Sequence, residues 1–362
     1  MAVSVALMQE RDRVGSHALH HMGISAYCSA WLCDAASLME EIEEVFRRED
    51  PGTLNRMRVY AAAALRRLLD RIPNEVLDAS ICHSRCGHHV STLMRVLHDA
   101  ERSPAGYWVG DQRTDINFLD CLRVEMAKKP YLKAADNLKR VHAATTLSLF
   151  NYLAGLKAAY SKIMIIRLDL HFPWHPEALF ATTGREETQW KALLLYVKNS
   201  FQSFLGYAAK FEVGAERGVH MHTVWVFNGS QVRSDVIIAR MIGDHWHNEI
   251  QQGRAGYFNC NARKHLKRMK WPAVGSFTEA NESFLVGMRH LSNYLAKPDT
   301  LVRVALPQIS RRLRRSRLTD RQRRRIVQRK ALAERRTMRL ATVNEVVPTP
   351  ALSSQSTSSR NP

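Results

Sequence analysis

The stretch Val219-His220-Met221-His222-Thr223-Val224-Trp225-Val226-Phe227 decides how this chain is read. It is apolar and β-branched almost throughout, which predicts a strand with both faces covered. Side chains two apart on a strand share a face. His220 and His222 therefore present two imidazoles to one side, while Met221 and Thr223 face the other. Two neutral imidazoles held side by side on a rigid element are a natural pair of metal ligands. A histidine in a strand is more often packed or solvated, so spacing alone leaves both readings open.

Just upstream, Tyr207 to Val213 reads as a second strand, joined to the first through Gly214-Ala215-Glu216-Arg217-Gly218. This is a hairpin signal. Its register decides whether Glu212 joins the histidines. An odd loop (216 to 218, or 215 to 219) sets Glu212 opposite His222; an even loop sets it opposite Met221, on the wrong face. Gly218 supplies the positive φ that odd loops often need. The expected ligand set is His220, His222 and Glu212 around a metal ion, with positions left for water and a phosphate oxygen. Glu212 as a plain surface residue is the alternative, and Glu216, in the turn itself, is a weaker candidate.

Further out, Lys162 to Leu170 reads as a strand ended by the proline-rich run after His171. Helices are expected over Glu186 to Phe204, Val232 to Gln251 and Glu279 to Ala296, the last stopped by Pro298, with a short strand at Gly256 to Asn261. The second half is thus a β-α-β-β-α-β-α unit. Residues 25 to about 158 read as helical, with Ala61-Ala62-Ala63-Ala64 inside a strongly helix-forming run. The fold class expected is α+β: a helical N-terminal region over 1–150, a mostly antiparallel sheet with helices packed on it over 160–305, a basic helical segment over 306–340, and a disordered tail over 341–362.

Charge points the same way. The 362 residues carry a formal net charge of +19, which favours a polyanionic partner. Residues 301–340 hold 15 Lys or Arg against two acids, Asp320 and Glu334. Arg311, Arg312, Arg314, Arg315, Arg317, Arg323, Arg324 and Arg325 are the candidates for gripping a DNA backbone. A solvated basic helix is the plain alternative. Six cysteines are too sparse for a disulfide framework, no stretch approaches a membrane span, and the N-terminus lacks a basic signal-peptide region. A reducing cytoplasm is the expected location, with no membrane partner.

In the helix Met288-Arg289-His290-Leu291-Ser292-Asn293-Tyr294-Leu295-Ala296-Lys297, His290, Tyr294 and Lys297 fall on one face. A phenol attacking a phosphodiester conserves the bond energy as phosphotyrosine, and a nearby cation stabilises the charge that develops. Tyr294 and Lys297 are the catalytic candidates.

With these residues in view, the chain resembles the HUH endonucleases, the replication initiators and relaxases of rolling-circle replication. More closely, Phe211 to His222, Gly243-Asp244-His245-Trp246, Gly256 to Asn261 and Tyr294 to Asp299 are similar to the inovirus replication-initiator family, also described as the YagK/YfjJ C-terminal domain family. The resemblance covers about residues 160–305. It implies a divalent metal, Mg²⁺ or Mn²⁺, on His220 and His222 with Glu212 as acidic third ligand, Tyr294 as nucleophile and Lys297 as its companion, all in the cytoplasm of a bacterial host. It also implies an origin or single-stranded DNA partner, with host helicase and polymerase beyond it. Where two-tyrosine members carry the second tyrosine, this chain has His290, so a single-tyrosine mechanism is implied.

Other signals rank lower. Cys82-x-x-x-Cys86-x-His88-His89 lacks a partner motif for zinc; His245 and His247 read as packing or DNA-facing residues; His171 and Asp169 border the expected metal site without an assigned role. Two rivals remain: a DNA-binding regulator that keeps the fold without nicking, and a cupin-like metal enzyme. The cupin reading wants a glutamate three or four residues after His222 and a third histidine on a later strand, whereas positions 225–227 are Trp, Val and Phe.

Overall fold

The computed structural model describes residues 26–47, 51–73, 87–101, 112–173, 185–214, 218–268, 271–298 and 312–346. Helices α1 (Ala26–Arg47), α2 (Pro51–Leu69), α3 (His88–Glu101), α4 (Gln112–Met126) and α5 (Lys129–Ala159) come first. Then follow β1 (Ile163–His171), α6 (Glu186–Ser200), β2 (Phe204–Gly214), β3 (Gly218–Asn228), α7 (Asp235–His245), β4 (Tyr257–Asn259), the single turn α8 (Arg263–Leu266), β5 (Gly275–Phe277), α9 (Glu282–Ala296), β6 (Leu313–Arg315) and α10 (Asp320–Val346). The fold is α+β. Its six-stranded sheet runs β4-β1-β3-β2-β6, with β5 also paired to β1, and every pairing is antiparallel.

β3 lies at the centre, which is why its sequence is apolar on both faces. Met221, Trp225 and Phe227 face a layer built by Trp190, Leu193 and Val197 of α6 and Ile238, Ala239 and Ile242 of α7. Val224 and Val226 face the opposite layer: Leu149, Leu153 and Leu156 of α5 with Phe284, Met288, Leu291 and Leu295 of α9. Asn281 starts α9 by accepting a hydrogen bond from the Phe284 N–H at 3.0 Å, the usual service of an N-cap asparagine. That fixes where the helix begins, and so where Tyr294, three turns on, meets the sheet.

α5 is shared between two cores. Its first turns, through Tyr131 and Ala135, join the bundle of α1 to α4. Its last turns lie under the sheet. α10 docks on the same helix, with its Ile326 and the preceding Leu318 beside Gly155, where a side chain would collide. It opens on a reciprocal cap: Thr319 Oγ1 accepts from the Gln322 N–H at 3.2 Å and Gln322 Oε1 accepts from the Thr319 N–H at 2.9 Å.

Two expectations about the C-terminal part need correction. Residues 306–340 are not a single helix, because Leu313–Arg315 forms β6 on the edge of β2. Helix α10 continues to Val346, into the stretch expected to be disordered. Residues 1–25 and 347–362 lie outside the described residues. Among the described residues no helix is long and apolar enough to cross a membrane.

Candidate metal centre

The hairpin pairs Gly214 with Gly218, leaving three residues between them, and Gly218 takes φ 59°. An odd loop was expected, but it is placed one residue earlier than either form considered. Glu212 consequently stands opposite His220, and Lys210 opposite His222. The face is unchanged, because a shift of two in the pairing sum preserves parity.

On that face the two imidazoles share one arrangement. His220 Nδ1 lies 3.1 Å from the Gly218 carbonyl, which can only accept, so Nδ1 carries the proton. His222 Nδ1 lies 2.7 Å from Asp169 Oδ1. Both Nε2 atoms turn toward Glu212 Oε2, at 3.5 Å from His220 and 2.8 Å from His222. A histidine whose Nδ1–H is held by an oxygen and whose Nε2 points into a shared space is arranged as metal ligands are. One ligand atom from each of Glu212, His220 and His222 lies within 4.8 Å of the others. The donor set fits a divalent cation with open positions.

β1 supplies what the hairpin lacks. Asp169 pairs with His222 across the ladder, and Arg167, two residues earlier on the same face, contacts the Asp169 carboxylate at 3.4 Å. Burial works against ionised Asp169, but the His222 hydrogen bond and the Arg167 charge outweigh it and hold the carboxyl below the usual range. Glu212 behaves alike. Burial opposes its charge, yet both histidines and Lys210, which bonds its other oxygen, hold it far below an ordinary glutamate. For His222, burial lowers the pKa, and the bonds to Asp169 and Glu212 more than reverse that.

Tyr294 comes from α9, on the opposite side of the cluster from the strands. Its hydroxyl lies 2.8 Å from His222 Nε2 and 3.3 Å from Nδ1. The Arg167 guanidinium sits over its ring, 4.4 Å from the centroid. Burial raises the phenol's pKa; Arg167 pulls it down, and Glu212 and Asp169 push it up again, leaving a net rise. The residue as a whole is 37% exposed, while its hydroxyl is turned in toward His222.

Lys297 is not in this group. It ends α9, giving its backbone N–H to the Tyr294 carbonyl at 3.3 Å, and its side chain is exposed. The cation against Tyr294 is Arg167, which the sequence reading missed, as it missed Lys210. Both had a signal. Arg167-Leu168-Asp169, Lys210-Phe211-Glu212 and His220-Met221-His222 each place polar residues at alternate positions in an apolar strand, and the sheet puts all three pairs on one face.

Of the basic candidates, Arg311 lies outside the described residues. Arg314 is mostly buried; it pairs with Glu187 of α6 and lies over the Phe211 ring. Arg315 bonds Ser148 at 2.9 Å and covers Tyr152, and Arg325 covers Tyr160. Arg312 is half-buried, its carbonyl taking the Phe211 N–H. Arg317, Arg323 and Arg324 are exposed, Arg323 with Asp320 at 3.3 Å. His245 stacks on Tyr196 and His247 Nδ1 donates to the Ala255 carbonyl, so both serve packing. Cys82 and Cys86 lie outside the described residues. Comparison of the chain with family models, curated proteins and solved structures finds no match.

Proposed function

We propose that this chain is a DNA strand transferase of the HUH type, a site- and strand-specific nickase that initiates rolling-circle replication through a phosphotyrosine. One observation carries the reading: a phenol and a His-His-Glu ligand set occupy the same small space, 2.8 Å apart at Tyr294 and His222. Phenol, cation and metal ligands together are the parts that phosphoryl transfer requires.

His220, His222 and Glu212 would hold the divalent ion, Mg²⁺ or Mn²⁺, which when bound polarises a non-bridging oxygen of the scissile phosphate. Tyr294 supplies the nucleophile. Its oxygen forms the bond to phosphorus as the bond to the 3′ oxygen breaks, giving a 5′-phosphotyrosine and a strand ending in 3′-OH. The phenolic proton is lost and the departing oxygen gains one, so the step is neutral overall. Arg167, fixed by Asp169, stabilises negative charge that builds on the phenol and phosphate oxygens. Asp169 and the Gly218 carbonyl fix which nitrogen each histidine turns inward. The reverse transfer, from phosphotyrosine to a 3′-OH, closes a circle. A host polymerase would extend the freed 3′ end, and a host helicase would open the duplex ahead of it.

The cupin alternative loses support, because β4, β5 and β6 carry no histidine. The test is a labelled single-stranded oligonucleotide library incubated with the protein and Mn²⁺, run on a denaturing gel, with the protein-linked strand sequenced. Cleavage at one sequence, abolished by chelation, supports the proposal. DNA binding without metal-dependent cleavage would replace it with the regulator reading.

A further inference from the structure

The helical bundle contains a second group of ligating side chains, far along the chain from the first. His88 and His89 open α3, and their rings lie 4.1 Å apart between centroids. Adjacent residues on a helix ordinarily diverge by about 100°, so bringing both rings together is a specific arrangement. Glu43 of α1 meets them: its Oε2 lies 2.8 Å from His89 Nε2 and accepts from the Tyr131 hydroxyl of α5 at 3.0 Å. Nothing in the proposed DNA chemistry uses these residues.

The cluster carries an open donor. His88 Nε2 is buried and has no hydrogen-bond partner, a costly arrangement for a polar atom inside a small domain. Burial and the neighbouring His89 hold His88 down to a pKa of about 4. One atom each from Glu43, His88 and His89 lies within 4.8 Å of the others. Ligands around a tetrahedral zinc ion stand about 3.4 Å apart, so slight side-chain movement closes the gap. Glu43 is already fixed by the Tyr131 hydroxyl, as the supporting partners of ligating carboxylates commonly are.

We infer that Glu43, His88 and His89 form a second metal site, selective for a borderline cation such as Zn²⁺, which ties α1 to α3 and, through Tyr131, to α5. Two imidazoles and one carboxylate suit Zn²⁺ better than Mg²⁺, which prefers oxygen ligands. The ion's role is structural: it fastens the bundle onto the long helix that also supports the sheet.

The test isolates this site by disabling the other. A His220→Ala, His222→Ala chain is loaded with Co²⁺, dialysed, and read by metal analysis and visible absorption. One retained ion with the strong d–d bands of low coordination is expected, and adding His88→Gln and His89→Gln should remove both signals while far-UV circular dichroism keeps its helical shape. In the unsubstituted chain, Zn²⁺ should protect His88 and His89 from acylation by diethyl pyrocarbonate and raise the thermal midpoint. The inference is overturned if the His220→Ala, His222→Ala chain retains no ion. It is equally overturned if acylation of His88 and His89 is unchanged by Zn²⁺, or if the ion survives loss of both histidines.

Discussion

Asp169 touches no reacting atom in the proposed chemistry, yet it decides which nitrogen of His222 faces Glu212. Partners of this kind are commonly worth 10–100-fold in metal affinity. Asp169→Asn should weaken Mn²⁺ binding by about that factor in calorimetric titration, with little change in fold. Arg167 and Lys297 offer a second comparison. Arg167→Gln is expected to lower the nicking rate by about 10²–10³, the cost typical of removing one charge-stabilising group. Lys297→Ala should cost far less, because that side chain is exposed beyond the end of α9. Single-turnover nicking rates of the two variants check the order, and the reverse order would return Lys297 to the site. At this scale the sequence showed the histidines, Glu212 and Tyr294 directly, because each rests on a local pattern. Arg167 and Lys210 required knowing which strands neighbour which, and no local pattern states that.

Among the elements, the long strands and helices were legible from periodicity, since β1, β2 and β3 each run nine residues or more. β5 and β6 were not. Three residues give no alternation to read, and Leu313–Arg315 lies inside a run whose charge suggested only a basic helix. Its ladder to β2 is joined by the Arg314–Glu187 pair, in which the hydrogen bond from Arg314, only partly offset by burial, holds the Glu187 carboxyl below its ordinary value. A carboxylate depressed in the folded state stabilises above its unfolded pKa, and that stability is lost as pH falls through the folded value. Glu187→Gln should therefore remove no more than about 1 kcal/mol at pH 7, because solvent screens the pair, and flatten the acid limb of stability below about pH 4.5. Denaturant melts of both proteins across pH 3 to 7 check this; parallel curves would mean that β6 is held some other way. The hairpin parity was read correctly and its pairing was not, because several odd loops satisfy the same glycines.

Over the whole molecule, charge is divided between structure and surface. The net charge of +19 and the 15 basic residues of 301–340 suggested one DNA-gripping segment, but some of those arginines are engaged within the fold. Arg314 and Arg315 cover aromatic rings, while Arg317 and Arg324 are exposed. Each exposed arginine that meets a phosphate releases a counterion on binding. Arg317→Ala and Arg324→Ala should each reduce the slope of log affinity against log salt by about 1, measured by fluorescence anisotropy on single-stranded DNA. Arg314→Ala should leave the slope alone and lower stability instead. An unchanged slope in the first two would place the DNA path elsewhere on the surface.

The central claim is that Tyr294 and the His220–His222–Glu212 cluster form one reaction centre. Its most direct test is the covalent adduct itself. With Mn²⁺ and single-stranded DNA carrying the cleaved sequence, the unsubstituted protein should give a denaturation-resistant protein–DNA band whose linked peptide contains Tyr294. Tyr294→Phe should give none while still binding Mn²⁺ and DNA. An adduct of undiminished yield from Tyr294→Phe, or a linked peptide from another part of the chain, would contradict the account.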